Sequence, residues 1–538
     1  MASFLLLRLI GFITNAVFYH RIATSLVAPG AIHHPPLLIL AAPVVGGLVV
    51  GFMARFGSEK IRGHGMPEAI EAILIGGSRV APRVAVLKPV SAAISIGTGG
   101  PFGAEGPIIM TGGAAGSILA QALKLSADER KTLLVSGAAA GMAATFNAPL
   151  ASVLLAVELL LFEWRPRSLV PVASAVIVSV VCRFWLLGSA PVFPVADLVH
   201  PGPAAIGLSL VPGLTGGLLA IGATGLVYLA EDGFNRLPVH WMWWPALGGL
   251  IIGIGGLFEP RALGVGYDVI DQLLTGRAAL SLVLGILVVK TLIWSLSLGS
   301  GTSGGVLAPV FMIGGSLGAL EGTVLPHVFP GFWAMAGLAA VVGGVMRSPL
   351  TGIVFTLELT HAWNDLIPLM VASVSAYLLS ALLLKRSVLT EKIARRGLHL
   401  TREYSTDPLE MFFAHEVMTA GPVPPPAEQH DTDPSQTVVY ADQTLREVAN
   451  ILARQEITRA PVMSRSEPDR RVGTISLDQL LHARRRDFHE EHHRERLLLT
   501  SLRILDPDRA RRRAQDAAVQ EPRESSDDAS DDDYTMTV

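Results

Sequence analysis

One carboxylate, Glu105, stands in the stretch GTGGPFGAEGPIIMTGG (97–113), among seven glycines and ahead of an uncharged apolar run. A charge buried at membrane depth is costly unless hydrogen-bond donors meet it. The backbone supplies the donors. Glycine-rich approaches run into proline at Gly65-Met66-Pro67, Glu105-Gly106-Pro107 and Leu307-Ala308-Pro309, and proline belongs to the first turn of a helix, where its missing N–H is no loss. A helix start carries roughly half a positive elementary charge and presents free N–H groups. None of the three starts contains Lys or Arg, so together they describe a site for a small anion that needs no fixed cation. Such a site binds strongly enough to admit an ion and weakly enough to release it. Close helix packing is the other use of glycine, and GGLVVG (46–51) and GGLIIG (248–253) read that way.

These helix starts must lie at membrane depth. Half of the 538 residues are hydrophobic and 16% are charged, with a mean hydropathy of +0.48, which is the composition of a polytopic membrane protein. Apolar runs at 169–181, 204–230, 278–289 and 365–384 are bounded by Gly, Pro or charge, and several reach the about 20 residues a spanning helix needs. The segment FLLLRLIGFITNAVFY (4–19) has no basic n-region or small-residue cleavage site and is expected to be a membrane helix. Backbone that is not helical inside a bilayer must be buried in protein or line water. Cys182 is the only cysteine, which excludes a disulfide framework and a thiolate metal site. The net charge of −3 decides nothing, because the charges are segregated. Lys385, Arg386, Lys392, Arg395 and Arg396 follow the last apolar run, which places the C-terminal part in the cytoplasm.

The chain also repeats itself. Residues 87–117 align without a gap on 289–319, pairing Lys88 with Lys290, Gly103 with Gly305 and Pro107 with Pro309. In the same order, 42–51 matches 244–253, 63–74 matches 264–274 and 147–160 matches 347–360. The shared positions are Gly and Pro, which organise backbone, so the halves are expected to meet at a common site near the bilayer midplane. Parallel and inverted arrangements both satisfy the repeat, and a duplication without a shared site is the bland alternative.

The motifs GHGMP (63–67), GAEGP (103–107), FNAPL (146–150) and GVLAP (305–309), in this order and spacing, resemble the CLC chloride channels and chloride/proton exchangers over about residues 5–395. The resemblance implies an all-α polytopic membrane domain (1–395) with two inverted repeats, about 40–200 and 242–395, containing broken helices. It also implies a homodimer in the inner or plasma membrane with one anion pathway per subunit. Chloride or a similar small anion would be the substrate and protons a second one, with no enzyme chemistry, cofactor, metal or nucleic acid. Glu105 would be the gating carboxylate and outer proton acceptor. The N–H groups of Ala104, Glu105 and Gly106 would line an outer anion site, those of Val306 and Leu307 a central one, and Gly63 and His64 would border the inner entrance.

Four positions depart from the pattern. His64 replaces a serine, Leu307 a phenylalanine and Leu389 a tyrosine, so the central site loses two hydroxyls. Leu159 replaces the second acid of a Glu pair, the inner proton acceptor, and leucine cannot relay a proton. Either coupling uses another group, such as His64, Glu163 or water, or the protein is an uncoupled anion channel. Glu158 has a counterpart in Glu358 and reads as a helix-packing or capping carboxylate. A rival of another class is an intramembrane metalloenzyme with His64, Glu68 and Glu71 on one helix face; acids in a first helical turn are ordinary dipole complements.

A linker (396–436) containing PVPPP leads to 437–500, whose succession of strand, helix, strand, turn, strand, helix resembles a single CBS motif. HEVMT (415–419) resembles the remnant of a first motif, and half a pair would complete itself across the dimer. Gln479 stands where nucleotide binding would want an acid, with Asp478 one position early, so the sequence decides neither for nor against a nucleotide. The tail 501–538 is basic and then acidic, with seven acids in 521–538, and is expected to be disordered. The basic stretch 484–513 would touch anionic lipid or be solvated.

Overall fold

The computed structural model describes residues 1–74, 77–161, 166–195, 200–384, 387–389, 391, 395, 409, 412–420, 438–465, 471–483 and 485. Glu163, the linker 396–436 apart from 409 and 412–420, the basic stretch 484–513 apart from Arg485 and the tail 501–538 lie outside the described residues, as does the cationic cluster at 385–396 apart from Arg395. The chain divides into two units, 1–404 and 405–538.

The elements of the first unit are helices. After α1 (Ala2–Phe18), a first series comprises α2 (Pro36–Phe56), α3 (Met66–Leu74), α4 (Pro82–Gly97), α5 (Glu105–Ala122), α6 (Ala127–Phe146), α7 (Pro149–Leu155) and α8 (Pro166–Leu187). Two helices, α9 (Pro203–Leu208) and α10 (Leu210–Asn235), lead to the second series. This comprises α11 (Trp244–Phe258), α12 (Tyr267–Leu274), α13 (Leu280–Gly285), α14 (Thr291–Gly299), α15 (Leu307–Glu321), α16 (Phe332–Met346), α17 (Pro349–Thr360) and α18 (Leu366–Leu383). Among the described residues six helical stretches are long and apolar enough to cross a membrane, α2 and the stretch Trp241–Phe258 containing α11 among them.

Two of these crossings run through a charge that seemed to end them. The apolar run 278–289 stops at Lys290, yet the helical stretch continues from Leu280 to Gly299, because Lys290 is buried and its Nζ donates to the carbonyls of Ala262 and Gly264, both at 2.8 Å. Likewise α8 continues past Arg183, whose Nε donates to the Ala144 carbonyl at 3.0 Å.

The counterpart helices α2 and α11 pack along their glycines. A Cβ on Gly51 would meet Met242, one on Gly47 would meet Pro245, one on Gly249 would meet Pro43 and one on Gly253 would meet Leu40. Position numbers rise along one helix as they fall along the other, so the two run antiparallel. Antiparallel counterparts that both cross the membrane make the halves inverted. Reciprocal contacts mark the axis that relates them. Glu158 caps the start of α17, accepting from the N–H of Leu350 (3.3 Å) and Thr351 (2.9 Å). Glu358 caps the start of α7, accepting from Leu150 (2.9 Å) and Ala151 (2.8 Å).

Both acids are therefore capping carboxylates, each for the other half's helix. Removing the more buried one, Glu358→Ala, strands N–H groups at a helix start and is expected to cost about 1–3 kcal/mol. Thermal unfolding in detergent should show a lowered midpoint, and a midpoint equal to the parent's would contradict the capping role.

The second unit holds a four-stranded sheet in the order β1-β4-β3-β2. Its strands are β1 (Thr419–Ala420), β2 (Val439–Tyr440), β3 (Arg459–Met463) and β4 (Arg471–Ser476). The β2–β3 pair is parallel and joined by α20 (Leu445–Arg454), while β4 is antiparallel to β3 and β1. The short α19 (Ala414–Val417) precedes β1, so HEVMT contributes a helix turn and an edge strand to this sheet. Val439, Leu445, Val448, Val462 and Ile475 form the core. The Gln479 amide is occupied, its Oε1 accepting the Ser476 N–H at 2.8 Å and its Nε2 donating to Thr419 Oγ1 at 2.7 Å.

Candidate functional site

The helices α5 and α15 begin inside the protein, after the buried N-caps Ala104 and Val306, and neither start has a side-chain cap from its own N-cap residue. They meet across the axis. Gly305 N–H donates to the Gly103 carbonyl at 2.7 Å and Gly103 N–H to the Gly305 carbonyl at 3.2 Å, which ties the two approaches two residues before each helix. Glu105 opens α5 and is only 1% exposed. Its Oε1 accepts the N–H groups of Leu307 and of Ala308, the latter at 3.1 Å. The acid thus serves the start of the opposite half's helix, a charge-assisted arrangement that matches carboxylate to dipole. Oε2 is buried without a hydrogen-bond partner among the described residues.

Only glycine leaves room for this placement. A Cβ on Gly103 would fall 1.9 Å from Glu105 Oε2, and one on Gly305 would fall 2.5 Å from Oε1. The loop carrying His64 closes the same spot from the side. A Cβ on Gly106 would fall 2.0 Å from the His64 carbonyl oxygen and 3.2 Å from the Gly305 Cα. The loop is held by Lys88, whose buried Nζ donates to the carbonyls of Ile61 (2.8 Å) and Gly63 (2.6 Å), as Lys290 holds the counterpart loop. Gly63 and Gly65 take left-handed backbone, φ 77° and 88°, which only glycine adopts at little cost.

Gly63 and His64 also line a cavity of about 590 Å³ with Arg62, Glu68, Tyr228, Trp241 and Trp244. Arg62 lies over the rings of Trp241 (4.6 Å) and Trp244 (5.5 Å) and bonds Glu59 at 3.2 Å. Glu68 Oε2 accepts the Gly65 N–H at 3.1 Å, the ordinary service of an acid in a first helical turn. Tyr228 donates its hydroxyl to the Val388 carbonyl at 2.5 Å, so the hydroxyl beside Leu389 is engaged by backbone. Leu389 and Leu159 are buried, at 0% and 1% exposure, and Leu159 sits in a π-helical turn, Ala156–Leu161, that extends α7. The structure therefore gathers Gly63, His64, Glu105, Gly106, Val306 and Leu307, with Ala104 as the N-cap of α5. The sequence did not single out Ala308 as a donor to Glu105 or Tyr267 at the start of α12.

Residues 46–381 match the family described as voltage gated chloride channel. A ClcB-like chloride channel protein from Ralstonia nicotianae is 30% identical over 370 residues, 66% of this chain and 85% of the relative. The H⁺/Cl⁻ exchange transporter ClcA of Salmonella arizonae is 32% identical over 381 residues, 67% of this chain and 79% of the relative. The solved structure of a slow cyanobacterial Cl⁻/H⁺ antiporter superposes with a TM-score of 0.62 at 24% identity, covering 73% of this chain and 97% of that one. A CLC-type fluoride/proton antiporter gives 0.60 at 20% identity, with 70% and 91% covered. The structural likenesses carry the fold, and the family's members are transporters or channels, which removes the metalloenzyme reading. The family match spans all four glycine and proline motifs and most of both halves that meet at Glu105, and on that ground the chain belongs to the CLC, or voltage gated chloride channel, family.

Proposed function

We propose that this protein moves chloride or a similar small anion across the membrane through a pathway gated by Glu105. The observation that carries the reading is the Glu105 carboxylate resting on the Leu307 and Ala308 N–H groups. What a carboxylate oxygen accepts there, a chloride ion would accept, so the side chain acts as a tethered anion. Protonation removes its charge and weakens its hold, and the freed N–H groups take the permeating ion. The N–H groups of Ala104, Glu105 and Gly106 then serve an outer site and those of Val306 and Leu307 a central one. Gly63 and His64 border the inner entrance through the 590 Å³ cavity.

The ClcA relatives are named proton/chloride exchangers. Buried Leu159, without an ionisable group, favours uncoupled anion movement in this chain; coupling would have to run through His64, Glu163 or water. We read the assembly as a homodimer with the C-terminal unit in the cytoplasm, on the side of the cations at 385–396. The β2-α20-β3-β4 succession supports a single CBS-like motif in that unit.

The test is chloride efflux from proteoliposomes holding the full chain, with external pH recorded at the same time. Chloride should leave without a fixed ratio of protons. Absence of efflux contradicts the transport function, whereas protons driven uphill in constant ratio contradict only the uncoupled branch.

A further inference from the structure

Glu105 must leave α15 for an anion to take its place, and a carboxyl group inside a membrane needs a polar partner wherever it goes. Two buried polar atoms in this region lack hydrogen-bond partners among the described residues, Glu105 Oε2 and the hydroxyl of Tyr267. The start of α12, which carries Tyr267, packs on α15: a Cβ on Gly266 would fall 2.3 Å from Met312 Sδ.

Tyr267 opens α12 immediately after Gly266, in the loop that Lys290 clamps. Its ring stands edge-on to Phe146 and Phe193, with centroids 6.4 and 5.8 Å apart. Phe146 stands edge-on in turn to Phe311, at 6.4 Å, one turn into α15. The aromatic contacts thus connect the phenol to the helix whose start Glu105 occupies. Tyr267 also lines a cavity of about 80 Å³ with Thr14, Pro29, Ile96 and Asp268. The loop 264–268 bordering this cavity is the second-half counterpart of 63–67, which borders the larger one. Inversion of the halves puts the small cavity on the opposite, outer side.

We propose that Tyr267 is a positioning residue that receives the Glu105 side chain when it leaves Leu307 and Ala308, its hydroxyl hydrogen-bonding the displaced carboxyl group on the way to the outer cavity. This inference rests on the gating role of Glu105. A phenol donates to a carboxylate and accepts from a carboxylic acid, so it serves the displaced gate before and after protonation. The charged and titratable groups placed around Tyr267 are Lys290, whose Nζ clamps its loop from the helix before α15, and Asp268, which lines the same cavity.

Tyr267→Phe keeps the ring and its contacts and removes only the hydroxyl. Chloride efflux from proteoliposomes, measured across pH for the parent, Tyr267→Phe, Glu105→Ala and the double variant, tests the proposal. Tyr267→Phe should lower flux about threefold to tenfold at the parent's half-maximal pH, the worth of one hydrogen bond. Its profile should move to more acidic pH, because the displaced gate has lost its partner. Added to Glu105→Ala, the change should do nothing. A Tyr267→Phe profile that lies on the parent's, or an equal loss in both backgrounds, overturns the inference. A Glu105→Ala profile identical to the parent's would overturn the gate itself.

Discussion

Glu105→Ala is expected to give a pathway whose chloride flux no longer depends on pH and, at neutral pH, exceeds the parent's by about tenfold to a hundredfold. The range follows from the about 1.5–3 kcal/mol that a hydrogen bond to a charged group contributes. The carboxylate accepts the N–H groups of Leu307 and Ala308, and with Glu105 as the proposed gate that contribution is what an incoming anion has to displace. Alanine leaves the same N–H groups with no tethered competitor. Glu105→Gln keeps an acceptor oxygen and loses the charge, so its profile should also be flat, at a flux between the two. Efflux measured with a chloride electrode over a pH series checks both variants. A Glu105→Ala profile that follows the parent's would remove the gate from this residue.

Gly103→Ala should produce much of the same effect without touching the acid. The added Cβ would fall 1.9 Å from Oε2 and 2.4 Å from Cδ of Glu105, distances no Cβ sustains. Gly103 is fixed by two hydrogen bonds to Gly305, whereas the carboxylate ends a flexible side chain, so the side chain yields. Flux at neutral pH should rise toward that of Glu105→Ala, and the two changes together should match Glu105→Ala alone. Gly305→Ala is a harsher change, because its Cβ also meets the Gly103 carbonyl at 2.7 Å; it should lower the yield of folded protein. Neutral-pH flux at the parent's level in Gly103→Ala would show that the carboxylate does not rest where the structure places it.

The helix starts at Met66, Glu105 and Leu307 were legible because glycine and proline act locally, and the repeat showed that the halves share them. Counterpart positions also marked Glu158 and Glu358 as packing or capping acids, and the structure decides for capping. The partners of these acids were not legible. A first-turn glutamate reads as a complement to its own helix dipole, yet Glu105 serves α15 across the axis, and that reach exists only once the halves are packed. Tyr267 was hidden by the repeat itself, since its counterpart is Met66, which has no hydroxyl to compare. Lys290 misled for the opposite reason: a charge ends an apolar run in sequence, but two carbonyl acceptors let the helical stretch carry it through the membrane. The π-helical turns at Ala156–Leu161 and Ile286–Lys290 leave no trace in apolar periodicity.

The central claim is that the Leu307 and Ala308 N–H groups are an anion site which Glu105 occupies in the resting protein. Bromide scatters anomalously and can replace chloride, so crystals of Glu105→Ala grown in bromide test the claim most directly. The account predicts an anomalous peak within hydrogen-bond reach of those two N–H groups, at the position Oε1 takes here. Bromide bound elsewhere, with these N–H groups left bare, would contradict it.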